Sequence, residues 1–316
     1  VVDSQHRQLH FVTGKGGVGK SLVACALASR FVAEGHRTLL CQVNARDSHT
    51  ALMGTGPVGD DVAAAGRNLW TVNFTPAQAT REYALMTLKL ESLYKAVFDN
   101  RVTRTFLRFV PSLNELTMMG KLWFHAEERR EKAGIFGGTD LPRFDRIVVD
   151  CPSTGHALKL FSISRVLTDA VRVGPLVDKT RQMASVFGDP QRSAVHLVTL
   201  PEELPVNETL ELLATLRAEG SVSVGHVIVN QVVPRVFDDV RASTALDRML
   251  AAPLTVSLAS VAAAGRRRRD REVLEGRELA RAKATDRPVA QIPLLGESPL
   301  TPAHVARVGA MLKDIR

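Results

Sequence analysis

The chain has few residues of the kind that staple or anchor a fold. Its cysteines are three in 316 residues, Cys25, Cys41 and Cys151, widely spaced and with no Cys-x-x-Cys pair. That is the pattern of neither a disulfide framework nor a thiolate zinc site, and it fits a reducing compartment. No apolar run approaches the roughly 18–20 residues needed to cross a bilayer. The first residues, Val-Val-Asp-Ser-Gln-His-Arg, lack the apolar stretch of a signal peptide, so the expected location is cytoplasmic. No internal repeat is visible. What is present is ordinary apolar content, 45%, on a chain long enough to bury a large core. The formal net charge is +8. That balance suits an anionic partner such as a nucleotide, a nucleic acid or a membrane surface, and does not choose among them.

Short runs rich in Val, Ile and Leu recur between helical patterns. They predict strands near Arg7–Thr13, Arg37–Asn44, Leu69–Phe74, Phe144–Asp150, Ala194–Leu200, Gly225–Val232 and Val289–Leu294. Several are apolar on both faces, as a sheet covered by helices on both sides requires. The alternation predicts an α/β fold with a doubly wound, mostly parallel sheet. A helix is expected over Val18–Glu34, ending at Gly35. The stretches of about 76–132 and 237–285 have helical periodicity without strand signals, and strands resume after each. They read as helical inserts in one domain spanning 1–316. Gly54–Gly59 and Gly134–Gly138 read as loops.

Gly14-Lys15-Gly16-Gly17-Val18-Gly19-Lys20-Ser21 satisfies the phosphate-binding pattern G-x-x-x-x-G-K-[ST], with an apolar strand before it and a helix after it. Glycines let the backbone curl its N–H groups around phosphate oxygens, and the following helix aims its positive end at the same anion. Lys20 is expected on the β- and γ-phosphates of ATP, and the Ser21 hydroxyl on Mg2+. Further on, Phe144-Asp145-Arg146-Ile147-Val148-Val149-Asp150 is an apolar strand closed by an acid. It is a suitable source of the second metal-side oxygen, from Asp150.

Lys15, a second lysine just after the first glycine, is the signature of the deviant Walker A ATPases. The run Cys151-Pro152-Ser153-Thr154-Gly155-His156 after Asp150 resembles the second switch of the ArsA/Get branch of that group. The resemblance implies a nucleotide-sandwich homo- or heterodimer in which Lys15 contacts phosphate across the interface. It also implies phosphate contacts from Thr154 and Gly155. Pro201-Glu202-Glu203-Leu204 with Glu208-Thr209 resembles the family's following segment. Asn230 falls where the family has an adenine-contacting asparagine, or is an ordinary strand-end turn cap. Pro293 falls at the start of its adenine loop.

Two departures qualify the match. The family's first switch carries an Asp that positions the attacking water. Here Asn44 takes that place, and asparagine orients water without accepting a proton or supplying charge. Asp47 is the alternative acid and Arg46 a possible phosphate contact, or both belong to a solvated loop. The metalloid and zinc cysteines of other members are also missing. Cys25 and Cys41 read as small buried hydrophobes, and Cys151 as packing or as redox-sensitive.

The first insert holds Leu85, Met86, Leu88, Leu90, Leu93, Phe98, Phe106, Leu107, Phe109, Val110, Leu113, Leu116, Met118, Met119, Leu122, Trp123 and Phe124. These pack a core or, as in the family's targeting members, cradle a hydrophobic client or membrane-protein partner. Arg266–Arg269, among Asp270, Arg271, Glu272, Glu275 and Arg277, reads as a solvated helix face. No aromatic residues interleave with it, so there is no strong nucleic-acid signal. The expected function is Mg2+-dependent ATP binding and hydrolysis by a dimeric switch. A catalytically weak regulatory subunit and a ParA/MinD-type positioning ATPase on DNA or membrane are the alternatives.

Overall fold

The computed structural model describes residues 7–76, 78–79, 113–130, 141–170, 175–253 and 255–316. Among these, one sheet contains β1 (Leu9–Gly14), β2 (Thr38–Val43), β3 (Ala63–Gly66), β4 (Leu69–Phe74), β5 (Arg146–Ser153), β6 (Ser193–Thr199), β7 (Val224–Val232) and β8 (Val289–Pro293). Their order across it is β3-β4-β2-β5-β1-β6-β7-β8. Every neighbouring pair is parallel except β3 with β4. The helices are α1 (Lys20–Ala33), α2 (His49–Met53), α3 (Leu113–Glu127), α4 (Thr154–Ala170), α5 (Pro175–Gly188), α6 (Glu203–Glu219), α7 (Val240–Ala251), α8 (Val256–Lys283) and α9 (Pro302–Met311).

Side chains alternate across the strands into two cores. Leu9 and Phe11 of β1 join Leu39, Cys41, Ile147 and Val149 on one face, under α3, α4, α5 and α6. Val12 joins Leu40, Val148, Val198 and Ile228 on the other, under α1 and α9. Burial on both faces explains why these strands read as near-continuous apolar runs. The expected strands appear within about two residues of their expected ends, except that the strand expected over Phe144–Asp150 runs three residues further, to Ser153. The four-residue β3 is an addition. Its Ala-Ala-Ala-Gly sequence has no β-branched or aromatic residue to signal a strand.

Of the first insert, α3 buries Leu116, Met118, Met119 and Leu122 in the core and leaves Phe124 45% exposed. Leu85, Met86, Leu88, Leu90, Leu93, Phe98, Phe106, Leu107, Phe109, Val110 and the Gly134–Gly138 loop lie outside the described residues. The second insert is the α7–α8 hairpin. Its charged stretch differs from a solvated face. Glu272 accepts the backbone N–H groups of Val236 and Phe237, Glu275 accepts that of Val233, and both carboxylates are buried. Of the arginine run, Arg268 pairs with Glu272 at 2.9 Å and Arg269 with Asp247 at 2.6 Å. Acceptors on a neighbouring segment, invisible in the helix's own periodicity, draw these acids inward. Among the described residues, no helix is long and apolar enough to cross a membrane.

Candidate nucleotide site

β1 sits between β5 and β6, the point at which the strand order changes direction, and its loop emerges at the carboxyl ends of the strands. Open parallel sheets bind ligands in that crevice. The loop's glycines are forced by their neighbours. A Cβ on Gly14 would strike the Val198 carbonyl of β6. Gly19 has φ 92°, which a side chain resists, and a Cβ there would strike the Asn230 amide. Gly16 and Gly17 form the exposed tip, while Val18 anchors the loop in the core. α1 begins at Lys20, so its first N–H groups face the loop. Lys20 Nζ donates to the Lys15 carbonyl at 3.0 Å, bracing the turn from within. Partial burial lowers the Lys20 pKa, against the pull of Asp150.

Beside this loop, Ser21 Oγ donates to Asp150 Oδ2 at 2.6 Å. Asp150 is 5% exposed, in the last half of β5. The same oxygen receives His49 Nε2 at 3.2 Å, from the first residue of α2. An ionised carboxylate accepts only, so His49 carries its proton on Nε2. His49 is 0% exposed and its Nδ1 has no hydrogen-bond partner among the described residues. It is a site residue that the sequence reading missed, although it is the only histidine in the Asn44–Thr50 stretch. Thr13 Oγ1 donates to the Pro152 carbonyl at 3.2 Å, tying the segment after Asp150 to β1. α4 then starts at Thr154, half-buried, with Gly155 and His156 exposed in its first turn. Two helix N-termini thus open at the carboxyl ends of adjacent strands. Cys151 is buried, and burial, with Asp150 adding to it, pushes its thiol well above the ordinary range. It packs in the core as a free, buried thiol.

The segment after β2 is less committed. Asn44 is exposed in the left-handed region at φ 47°, and its N–H donates to the Phe74 carbonyl. Arg46 is exposed. Asp47 spends its carboxylate within its own loop, accepting from Thr50 N, Thr50 Oγ1 and Val58 N at 3.1, 2.5 and 3.2 Å. Slight burial raises its pKa, but those hydrogen bonds outweigh it and hold the acid below its ordinary value.

Lys15 does not point freely outward. Its Nζ lies 2.7 Å from Glu208 Oε1 on α6. Asn230 is buried at the end of β7, and its Nδ2 donates to the Val18 carbonyl at 2.9 Å. It therefore fastens the strand end to the loop. Pro293 closes β8 opposite Val232, two residues past Asn230 in neighbouring β7. The donors suit Mg2+, a hard cation that prefers oxygen and commonly keeps phosphate and water among its ligands. The Ser21 hydroxyl and the Asp150 carboxylate, already in contact, are the side chains that would hold it.

The model of the anion-transporting ATPase family matches residues 7–174 and 170–249. ATPase BagA of Mycobacterium tuberculosis is 31% identical over 232 residues, 72% of this chain and 66% of that protein. ATPase GET3C of Arabidopsis thaliana is 26% identical over 278 residues, 76% of this chain and 70% of the relative. The arsenical pump-driving ATPase of Escherichia coli is 25% identical over 242 residues, 71% of this chain and 39% of the relative. The match to the mycobacterial relative thus stops just short of two thirds of its length.

Proposed function

The chain belongs to the anion-transporting ATPase family, and on that premise we propose that it binds Mg2+–ATP in the Gly14–Ser21 loop and hydrolyses it as one half of a nucleotide-dependent dimer. The observation that carries this reading is the 2.6 Å contact between Ser21 Oγ and Asp150 Oδ2 beside that loop. The loop's N–H groups and the N-terminus of α1 take the phosphate charge, and Lys20 turns from the Lys15 carbonyl to the terminal phosphates. Asp150 and Ser21 would hold the cation, which would neutralise charge on the phosphate oxygens. His49 fixes the direction of the Asp150 carboxylate. Thr154 and Gly155, at the start of α4, follow the γ-phosphate and move when it departs. Asn230 and Pro293 border the adenine side. The whole 1–316 span works as one ATPase domain in the cytoplasm. A hydrophobic client on the first insert is the proposed partner, on the strength of that insert's many apolar residues.

Purified chain should release phosphate from ATP only with Mg2+, and Lys20→Ala should abolish that release. Turnover unchanged in Lys20→Ala removes the proposal. A second reading, a slow or regulatory half of a heterodimer, draws on Asn44 and on the engagement of Asp47 within its loop. Asn44→Asp separates the two: a large gain in turnover supports the second reading, and no gain supports the first.

A further inference from the structure

The amino ends of the strands carry a feature that the nucleotide reading does not use. Phe31, in the last turn of α1, is surrounded by basic groups. The Arg30 guanidinium lies 4.6 Å from its ring centroid and that of Arg146, the first residue of β5, lies 5.5 Å away. The rings of His10 and His36 lie 4.7 and 6.3 Å from it. Arg30 and Arg146 are each only 8% exposed. One aromatic ring in contact with two guanidiniums is a built arrangement, because each cation–π contact holds a planar fork that would otherwise rotate freely. Arg30 is fixed further by donating to the carbonyls of Leu312 and Ile315 behind α9.

A cleft of about 340 Å3 opens on this group, edged also by Lys313 and Arg316. Among the described residues, the basic side chains Arg30, Arg146, Lys313 and Arg316 line it together with the Glu34 carboxylate. Glu34 is half exposed and lies 3.3 Å from Arg30 Nε. A second cleft of about 470 Å3 shares His36 and Arg146 with the first and adds Arg129 and Arg192. Burial lowers the pKa of Arg30, with the Glu34 carboxylate opposing that and the Arg146 charge adding to it, and burial and then Arg146 lower the pKa of His36, against Asp145 and Glu34. An anion bound there would favour the charged forms that burial disfavours. Guanidinium forks match the paired oxygens of phosphate in geometry as well as charge.

We propose that this cleft is a second anion site, which takes a phosphate-type oxyanion, free or esterified, between Arg30, Arg146 and Lys313. The larger neighbouring cleft gives room for the remainder of an ester. The site is separate from the Gly14–Ser21 loop, because α1 starts at that loop and Phe31 lies eleven residues further along it.

The test is calorimetric titration of the full chain with inorganic phosphate and, in parallel, with glycerol 3-phosphate. Lys20→Ala disables the loop site. Arg146→Gln disables the cleft, and Lys313→Gln with Arg316→Gln does so through two exposed positions that leave the core intact. Binding should persist in Lys20→Ala and, in that Lys20→Ala background, weaken at least tenfold in both cleft variants. In the same background, tighter binding of the ester identifies esterified phosphate as the ligand, and tighter binding of inorganic phosphate identifies the free ion. Phosphate binding that disappears in Lys20→Ala, or that is unchanged when the exposed double variant is combined with Lys20→Ala, overturns the proposal.

Discussion

The two ends of the sheet present positive charge in opposite ways. At the carboxyl ends it comes from backbone. N–H groups of a glycine loop and the starts of α1 and α4 converge there, and Lys20 is the one cation held inside the turn. At the amino ends it comes from side chains that begin separate elements or end helices: Arg146 on β5, Arg30 on α1 and Lys313 just after α9. Backbone donors keep their direction and cannot titrate, so that end is suited to a ligand whose charge changes during a reaction. Clustered guanidiniums and imidazoles repel one another and are partly desolvated. That end is sensitive to pH and to counter-ions.

The largest expected effect that sharpens this contrast is at the carboxyl end. Asp150→Ala should lower ATP turnover by roughly 10²–10³-fold, the scale on which loss of a key electrostatic partner acts. The phosphate titration at the amino end should not change. His49→Ala comes next. It leaves the metal-side carboxylate without its second donor, and removing such an outer partner weakens metal affinity by about 10–100-fold. The check is the Mg2+ dependence of turnover, with His49→Gln, which keeps an N–H donor, recovering part of the loss.

The third effect belongs to the amino end alone. His10 and His196 are fully buried and bonded to each other at 3.2 Å. Burial lowers both pKa values well below the ordinary one, and burial lowers that of His226 to about 4. The unfolded chain therefore binds protons, near pH 6.5, that the folded chain refuses. Stability is complete above about pH 6.5 and is lost as the pH falls from there towards about 4. Melting temperature measured from pH 8 to pH 5 at fixed ionic strength should show the fall, and His226→Gln should flatten it. An unchanged slope in that variant would remove His226 from the account. The smallest effect is at the half-buried Lys15–Glu208 pair. Glu208→Gln should release Lys15 and shift ATP-dependent dimerisation by about two- to fivefold, the scale of a partly exposed ion pair. Sedimentation at several concentrations reads it.

Legibility followed the same division. The Gly14–Ser21 loop stood out as a candidate because a phosphate loop demands contiguous residues of fixed type, and Asp150 because it closes an apolar strand; the structure sets Ser21 against Asp150. The parallel strands were readable because burial on both faces writes an apolar run. His49 was missed, and Glu208 stood out as part of a family-like segment without its pairing, because each acts on a residue about one hundred or more positions away, on Asp150 and Lys15. The buried Glu272 and Glu275 were misplaced for the same reason. Helical spacing reports which residues share a face, not that a neighbouring backbone stretch offers N–H donors to it. The arginine–phenylalanine group at the amino ends has no sequence signature at all, since its members come from the ends of unrelated elements.

A last consequence concerns the margins of the sheet. Its outer strands, β3 and β8, are four and five residues long. One is made of alanines and glycine, and the other closes on Pro293, which has no N–H to offer. Neither margin is a good template for another chain to lengthen the sheet, so polymerisation strand upon strand is discouraged.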